Sequence, residues 1–287
     1  MSEKRNPAVL WAILAASLYA ISAPVSKLLL QDVSPTMMAA MLYLGAGVGM
    51  FLLGIGRQRL GIGKAEQKLT RKDLPFAIGM IVLDIAAPIC LMVGLTTTTS
   101  ANASLLNNFE IVATSLIALF IFKEVISKRL WLAIGLITLS SVILSFEDAS
   151  SLDFSIGSLF VLLACICWGF ENNCTRMISQ SDPLEIVVLK GFGSGLGSLV
   201  IALVIGEQFP AFHFIPMALL LGFVAYGLSI FFYVYAQRKL GAAKTSAYYA
   251  IAPFSGVFLS LLIFQELPSP SFWVALLLMI LGAYFAA

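Results

Sequence analysis

The chain has 287 residues, of which 60% are hydrophobic and 11% are charged, and it carries a net charge of +2. Soluble domains carry about 25% charged residues, so this composition excludes an ordinary water-soluble protein and predicts that lipid surrounds most of the chain. The small net charge gives no reason to expect a nucleic acid as partner. The four cysteines lie inside apolar runs without the spacing of a zinc site, so we expect neither a metal nor a disulfide.

Ten segments of the chain approach the length of about 20 apolar residues that a membrane-spanning helix needs. In the first half these predicted spans are 8–30, 35–56, 74–95, 98–122 and 130–146. In the second half they are 156–178, 184–206, 214–236, 242–264 and 271–287. The sequence therefore predicts an all-α integral membrane protein with ten transmembrane helices, numbered here as spans one to ten. Its loops are too short to hold a soluble catalytic domain.

The distribution of basic residues predicts the orientation of these spans, because Lys and Arg accumulate in cytoplasmic loops. With the N-terminus inside, fifteen of the 17 basic residues face the cytoplasm, among them Lys4, Arg5, Lys64, Lys68 and Lys239. The outer loops carry only acidic charges, such as those of Glu207 and Glu266. We therefore expect a multi-pass protein of a bacterial-type plasma (inner) membrane, with both termini in the cytoplasm.

The two halves of the sequence, residues 1–148 and 149–287, resemble each other. The motif Phe122-Lys123-Glu124 returns as Phe264-Gln265-Glu266 at an offset of 142, and Tyr19-Ala20 with Lys27 returns as Trp168-Gly169 with Arg176 at an offset of 149. Each half contains five spans, an odd number, so the two copies are predicted to have opposite orientations in the membrane. Inverted repeats of this kind are typical of transporters that open alternately to the two sides.

On these motifs the chain resembles the EamA-type transporters of the drug/metabolite transporter superfamily. The resemblance covers essentially the whole chain. It rests on the aromatic-small pair and the basic residue in the first helix of each half, and on the Phe-x-Glu end of each fourth helix. It implies two five-helix repeats with a central cavity between them, and export of amino acids, other metabolites or toxic compounds. The motifs are specific for the superfamily and not for a substrate.

Two carboxylates are predicted to lie near the middle of the membrane, Asp84 in span three and Glu110 in span four. An ionisable side chain at a helix centre costs about 2.5–3.5 kcal/mol and usually faces a cavity or a partner. Small and polar residues recur with Glu110 every three to four positions and so share one helix face, namely Ser100, Ala103, Asn107 and Thr114. This face predicts either a lined cavity or a hydrogen-bonded contact between helices.

Three prolines fall inside predicted spans, and each is a candidate hinge. Pro24 and Pro253 are predicted to kink spans one and nine, and Pro88 follows Asp84 by one turn in span three. A proline frees the carbonyl oxygen four residues earlier, so Asp84 either lines a cavity or helps to satisfy the break at Pro88. Prolines also occur in static membrane helices, and that alternative stays open.

Further candidates for substrate or proton binding lie in spans six and nine. Trp168 and Glu171 share one face of span six, and Tyr248 and Tyr249 are adjacent in span nine. The tyrosines are expected either to stack on a substrate or to pack against other helices. Glu171 is expected either to belong to an inner gate or to pair with Lys190 of span seven.

Three basic residues inside or at the ends of spans are candidates for a gate or a charge pair. Lys27 and Arg176 occupy equivalent positions in the two halves, although both can also extend along their helices to the membrane interface. Lys190 lies about two turns inside span seven, where its ammonium group requires an acidic partner.

These observations favour a secondary-active transporter that exports small metabolites, such as amino acids or amines, by alternating access. Glu110, with Asp84 as a second candidate, is predicted to bind a proton or a cationic group, so protons are the expected coupling ion. The sequence contains neither a P-loop nor a metal-binding pattern, so we expect no cofactor. A monomer or weak dimer is expected. The alternative is an integral-membrane enzyme acting on lipid-linked substrates, with Asp84, Glu110 and Glu171 as acid/base groups.

Overall fold

The computed structural model describes residues 7–60, 67–148 and 153–286. Its first half contains α1 (Pro7–Tyr19), α2 (Ser22–Leu29), α3 (Pro35–Arg59), α4 (Leu74–Thr97), α5 (Ser100–Leu106), α6 (Phe109–Phe120) and α7 (Lys128–Leu144). The second half contains α8 (Ile156–Ile178), α9 (Pro183–Val204), α10 (Phe214–Gly222), α11 (Ser229–Leu240), α12 (Ala242–Tyr249), α13 (Ile251–Phe264) and α14 (Pro270–Ala286). Short antiparallel strands, β1 (Phe146–Asp148) and β2 (Asp153–Phe154), pair between the halves. The predicted all-α membrane protein is therefore confirmed in its main features.

Eight helical segments of the described chain are long and apolar enough to cross a membrane. They are Pro7–Leu29, Pro35–Arg59, Arg71–Thr97, Ser100–Phe120, Ile156–Ile178, Pro183–Val204, Phe214–Leu240 and Lys244–Phe264. Predicted spans five and ten correspond to α7 and α14, which have 17 residues each. A helix of that length extends for about 26 Å, which is short for a hydrocarbon core of about 30 Å. The described residues thus give a multi-pass membrane protein with eight spans of full length. Lys4, Arg5 and Lys64, used above to predict orientation, lie outside them.

Side-chain caps fix where several of these helices begin. The side-chain oxygens of Thr99, Ser127, Ser155 and Asp182 each accept a hydrogen bond from a backbone N–H in the first turn of the helix that follows. Such caps satisfy donors that have no partner inside the helix. They matter here because an unsatisfied backbone group is especially costly near lipid.

The fourth span of each half ends in the same unusual turn. Among the described non-glycine residues, Lys123 and Gln265 are the two with positive φ, at 59° and 52°. Both are the central residue of the repeated Phe-x-Glu motif, and both lie in the left-handed region that L-residues seldom adopt. The motif therefore encodes a specific end to the fourth span of each half.

Three of the predicted spans are interrupted near their middle, whereas span eight continues from α10 to α11 through a π-helical turn, Phe223–Leu228. Span one breaks at Ala20–Ile21 between α1 and α2, span four at Asn107–Asn108 between α5 and α6, and span nine at Ala250 between α12 and α13. Pro24 and Pro253 explain two of these breaks, because a proline cannot bond to the carbonyl group four residues earlier, on Ala20 or Tyr249. The helix α4, in contrast, continues through Pro88 from Leu74 to Thr97.

The break in span four corrects the prediction of one continuous polar face. The pair Asn107–Asn108 interrupts the helix, and the Asn108 side chain donates to the carbonyl oxygen of Leu105 at 3.3 Å. Asparagine side chains compete with the backbone for hydrogen bonds and so favour helix ends. Ser100 consequently bonds across to Ser260 of α13, while Glu110 belongs to the first turn of the separate helix α6.

Close packing of glycine-rich surfaces holds spans two and seven together. Gly47 of α3 faces Gly191 of α9, and a methyl group on Gly191 would overlap the backbone of Gly47. The glycine spacing in both helices predicts this close approach. Further pairings join α4 to α8, α1 to α11 and α7 to α14. The broken helices also pack on one another, because α5 contacts α13, α6 contacts α12, and α1 contacts both α12 and α13.

Candidate functional site

A narrow cavity lies at the centre of the bundle, beside the break in span one and the first turn of α6. Its volume is about 40 Å³, which is room for a few water molecules, so it must widen to admit a larger solute. The wall combines aromatic rings with polar and charged groups: Tyr19, Tyr43, Glu110, Trp168, Glu171, Asn172, Thr175, Lys190, Tyr226, Ile230, Tyr233 and Tyr249. An apolar cavity with a few convergent polar groups is the usual form of a small-molecule site.

A buried charge cluster forms one side of this cavity. The Lys190 Nζ atom lies 3.0 Å from Asp84 Oδ2 and 2.7 Å from Glu171 Oε1. The Tyr43 hydroxyl donates to Asp84 Oδ1 at 2.8 Å, and the Thr175 hydroxyl donates to Glu171. All five side chains are buried. Buried charges persist when they are paired and hydrogen-bonded in this way, so each carboxylate of the cluster has a fixed partner.

Glu110 is held differently. Its Oε1 atom accepts a hydrogen bond of 2.6 Å from the side-chain amide of Asn172, which also lies 3.4 Å from the Thr114 hydroxyl. The N-terminus of α6 adds a favourable dipole for a carboxylate in its first turn. Among the described residues, no Lys or Arg forms an ion pair with Glu110. Its carboxylate is therefore hydrogen-bonded by a neutral amide, and the Lys190 ammonium group acts on it only as a nearby charge.

Aromatic rings line the remainder of the cavity. The Tyr19 ring centroid lies 6.3 Å from that of Trp168 and 5.6 Å from those of Tyr226 and Tyr249. The chain of rings continues from Tyr226 to Tyr43 at 5.2 Å, and from Tyr249 to Tyr233 at 5.0 Å. Such distances are typical of edge-to-face and tilted aromatic pairs. The rings come from both halves of the chain and form one continuous aromatic wall.

Asn107 lies beside a second, smaller cavity, where the breaks in spans four and nine meet. This cavity has a volume of about 10 Å³ and is bordered by Tyr19, Glu110, Tyr249 and Pro253 as well. Irregular backbone at membrane depth is tolerated where it is buried in protein or lines a cavity. The interrupted helices thus surround the same pair of central cavities.

The two equivalent basic residues have different partners. Arg176 of α8 forms an ion pair with Glu124, at the Phe-x-Glu end of span four. Lys27 of α2 instead donates to the carbonyl oxygens of Leu95 and Thr98, the latter at 3.0 Å. Glu266, the counterpart of Glu124, acts on Lys27 only as a nearby charge. Arg176 is therefore paired with an acidic side chain, whereas Lys27, at the corresponding sequence position, is bonded to backbone carbonyl groups.

The structure brings most of the predicted site residues together. Glu110, Glu171, Trp168, Lys190 and Tyr249 all line the central cavity. Asp84 lies behind the wall, in contact with Tyr43 and Lys190. Tyr248 is half-buried and does not line the cavity.

Sequence reasoning missed Tyr43, Asn172, Tyr226 and Tyr233 as wall residues. Each is a polar or aromatic residue inside an apolar span, which is the one signal that could have indicated them.

No group of three His, Cys, Asp or Glu side chains in the described part of the chain is arranged to hold a metal ion.

Comparison with known proteins identifies the family of this chain. The sequence profile described as the EamA-like transporter family matches residues 6–146 and again residues 155–287. A protein of Methanothermobacter thermautotrophicus, described as an uncharacterized transporter, is 26% identical over 271 residues, or 88% of this chain and 78% of its own length. A solved crystal structure superposes with a TM-score of 0.73 at 17% identity, covering 99% of this chain and 97% of the other, and supports the fold. As the repeated motifs predict, the chain belongs to the EamA-like transporter family.

Proposed function

We propose that this transporter is secondary-active and exports small metabolites by alternating access between two inverted five-helix halves, residues 1–148 and 149–287. Glu110 is the exchangeable carboxylate of the site. One observation carries this proposal: a carboxylate lies in a central cavity among interrupted helices, and within the described residues it is hydrogen-bonded by a neutral amide and has no Lys or Arg ion-pair partner. Family membership favours a transporter over the membrane enzyme considered above.

The pairing of the helices supports inversion of the halves. Suppose that span one corresponds to span six and span three to span eight. Exchanging the two halves then replaces α4 by α11 and α8 by α1, so the α4–α8 contact becomes the α1–α11 contact. The same exchange maps the α3–α9 and α7–α14 contacts onto themselves. The broken spans four and nine also run antiparallel, because α5 packs on α13 and α6 packs on α12. In this proposal α7 and α14 cross the membrane as the fifth helix of each half, giving ten.

A pair of equivalent gates accounts for alternation. In this conformation the Arg176–Glu124 ion pair is formed, whereas Lys27 is bonded to backbone carbonyl groups near Glu266. We propose that a Lys27–Glu266 pair replaces the Arg176–Glu124 pair when the cavity opens to the opposite side. Cavities of about 270 Å³ beside Glu124 and about 380 Å³ beside Glu266 provide the corresponding vestibules.

Proton exchange at Glu110 supplies the energy in this scheme. A carboxylate that faces a cavity can take up a proton from one side of the membrane and release it to the other side. Asp84 and Glu171 are less suited to this role, because Lys190 already compensates their charge. Pro24 and Pro253 lie directly after the breaks in spans one and nine and are the proposed hinges. Pro88 lies within an unbroken helix.

Reconstitution tests this proposal. Liposomes that contain the purified protein are loaded with unlabelled solute. The saturable uptake of radiolabelled amino acids and amines by counterflow is then measured together with the pH inside the liposomes. The parent is expected to move at least one solute with an opposite proton flux. Glu110→Gln is expected to lose the proton flux, because an amide has no proton to exchange. Asp32→Asn, which removes an exposed carboxylate, is the matched control and should behave like the parent. Normal coupled transport by Glu110→Gln would remove Glu110 from the mechanism.

Orientation is tested separately. In a background without native cysteines, Lys68→Cys and Lys239→Cys are expected to react with a membrane-impermeant reagent only after the cell is opened. His213→Cys should react in intact cells. All three positions are exposed. Labelling of Lys68→Cys and Lys239→Cys from different sides would contradict both the proposed topology and the cytoplasmic termini.

A further inference from the structure

Four tyrosines of the central cavity have hydroxyl groups that are hydrogen-bonded within the protein. The Tyr43 hydroxyl donates to Asp84, and the Tyr226 hydroxyl accepts from Ser22 at 3.1 Å. The Tyr249 hydroxyl bonds to Ser229 at 3.0 Å, and the Tyr233 hydroxyl bonds to Ser246 at 2.8 Å. Because these hydroxyls are already engaged by the protein, the interaction that the tyrosines retain for a cationic solute is that of their π-systems, whose faces are negative.

The charged groups of the same wall also favour a positive solute. Among the described residues that line the cavity, Lys190 is the one basic side chain. Its ammonium group is shared between Asp84 and Glu171 at 3.0 and 2.7 Å. Glu110 adds a third carboxylate, and no Lys or Arg in the described part of the chain forms an ion pair with it. The cluster around the cavity is therefore negative when its carboxylates are ionised.

From these two features we infer that the cavity selects organic cations, meaning protonated or quaternary amines, over anions and zwitterions. This inference rests on the proposed transport function and names the substrate class of the same site. The cationic nitrogen lies against the ring faces of Tyr19, Trp168 and Tyr249, an arrangement that is favourable for a desolvated cation. Glu110 supplies the counter-charge. A cation and a proton then compete for one carboxylate, which couples their movements in opposite directions.

The same wall excludes a solute that carries a carboxylate or phosphate. Such a group needs a basic partner, and the Lys190 ammonium is already bonded to two carboxylates. Placing a further anion beside Glu110 and Glu171 is opposed by like-charge repulsion. A zwitterion would gain the favourable contact of its ammonium group, but the repulsion between its own carboxylate and those of Glu110 and Glu171 would offset that gain. Charge thus discriminates between solutes of equal size.

Three compounds of similar shape test the inference. Choline is a quaternary cation, glycine betaine is the corresponding zwitterion, and 3,3-dimethylbutan-1-ol is the neutral isostere of choline. Binding to the purified parent is measured by isothermal titration calorimetry. Choline is expected to bind at least about tenfold more tightly than either comparator. Equal or tighter binding of the zwitterion or of the neutral alcohol would overturn the inference.

Variants locate the selectivity in this cavity. Glu110→Gln is expected to weaken choline binding at least about tenfold, and Glu110→Asp, which keeps the carboxylate, should preserve the preference for the cation. Trp168→Leu should weaken choline about threefold or more, whereas Trp273→Leu, on an exposed surface outside the cavity, should not. A thermal unfolding curve accompanies each variant, so a misfolded protein is recognised as such. Unchanged choline binding in folded Glu110→Gln would overturn the inference.

Counterflow separates this inference from the proposed function. If the liposomes exchange a zwitterion or an anion and ignore choline, the charge selection is wrong and transport stands. If choline binds with the expected dependence on Glu110 but no solute is exchanged, the cation site stands and the proposed transport fails. Exchange of choline and of other amines, abolished by Glu110→Gln, supports both.

Discussion

Two glutamates at the centre of this bundle have the same side chain and different surroundings. Glu171 lies 2.7 Å from the Lys190 ammonium group and also accepts from Thr175. Glu110 lines the same cavity, but among the described residues its one direct side-chain donor is the neutral amide of Asn172. The difference indicates that a position at the central cavity does not by itself identify a functional carboxylate. The partner decides whether the charge is fixed in the fold or available to a proton or a substrate.

The largest effect is expected from removing the cation of the charge cluster. Lys190→Met leaves Asp84 and Glu171 buried without compensation, which should destabilise the protein by about 3–5 kcal/mol. The free energy of unfolding in micelles, measured by denaturant titration, checks this. Lys244→Met, which removes an exposed lysine, should change stability by less than about 0.5 kcal/mol. If Lys190→Met were as stable as the parent, Glu171 and Glu110 would not differ in the way described.

The two glutamates themselves provide an intermediate effect. Glu171→Gln removes a charged partner of Lys190 and should cost about 1.5–3 kcal/mol of stability. Glu110→Gln keeps an oxygen that can accept from Asn172, and its loss of stability should stay below about 1 kcal/mol. The same unfolding titration compares the two variants directly. A larger loss in Glu110→Gln than in Glu171→Gln would reverse the assignment of structural and exchangeable roles.

The smallest effect on stability is expected at the gates. The Arg176 and Glu124 side chains are 32% and 23% exposed, so Glu124→Gln should cost less than about 1 kcal/mol. It should nevertheless weaken the closed Arg176 gate and increase access to the cavity from that side. Glu266→Gln, at the equivalent position, should leave this access unchanged or reduce it. Accessibility of a cysteine at Ile230 to an impermeant thiol reagent measures the difference, and identical rates in the two variants would contradict the gate assignment.

Much of this arrangement could be predicted from local sequence signals. Hydropathy indicated the spans, and the repeated Phe-x-Glu motif indicated the family. The depth of Glu110 in its span singled it out before any contact was known. The spans, the motif and the depth of Glu110 each depend on a short segment of the chain, so they can be predicted from a single sequence.

Other features depend on contacts between distant residues and could not be predicted. Tyr43 meets Asp84, and Glu110 meets Asn172, only because spans two, three, four and six pack together. The break at Asn107–Asn108 had a local signal, two adjacent asparagines within a span, but the apolar residues around them concealed it in a hydropathy average. The different bonding partners of Lys27 and Arg176 are a property of this one conformation of the bundle. The sequence is nearly symmetric at these two positions, so it does not specify which of the two residues is paired with a glutamate.

Alternating access requires that the central cavity open in turn to each side of the membrane. Ile230 lines this cavity, so Ile230→Cys in a background lacking Cys90, Cys165, Cys167 and Cys174 reports its accessibility. An impermeant thiol reagent added to oriented liposomes from either side is expected to label it from both, and Glu124→Gln should change the two rates in opposite directions. Labelling from one side only, with rates unaffected by Glu124→Gln and by Glu266→Gln, would contradict alternating access.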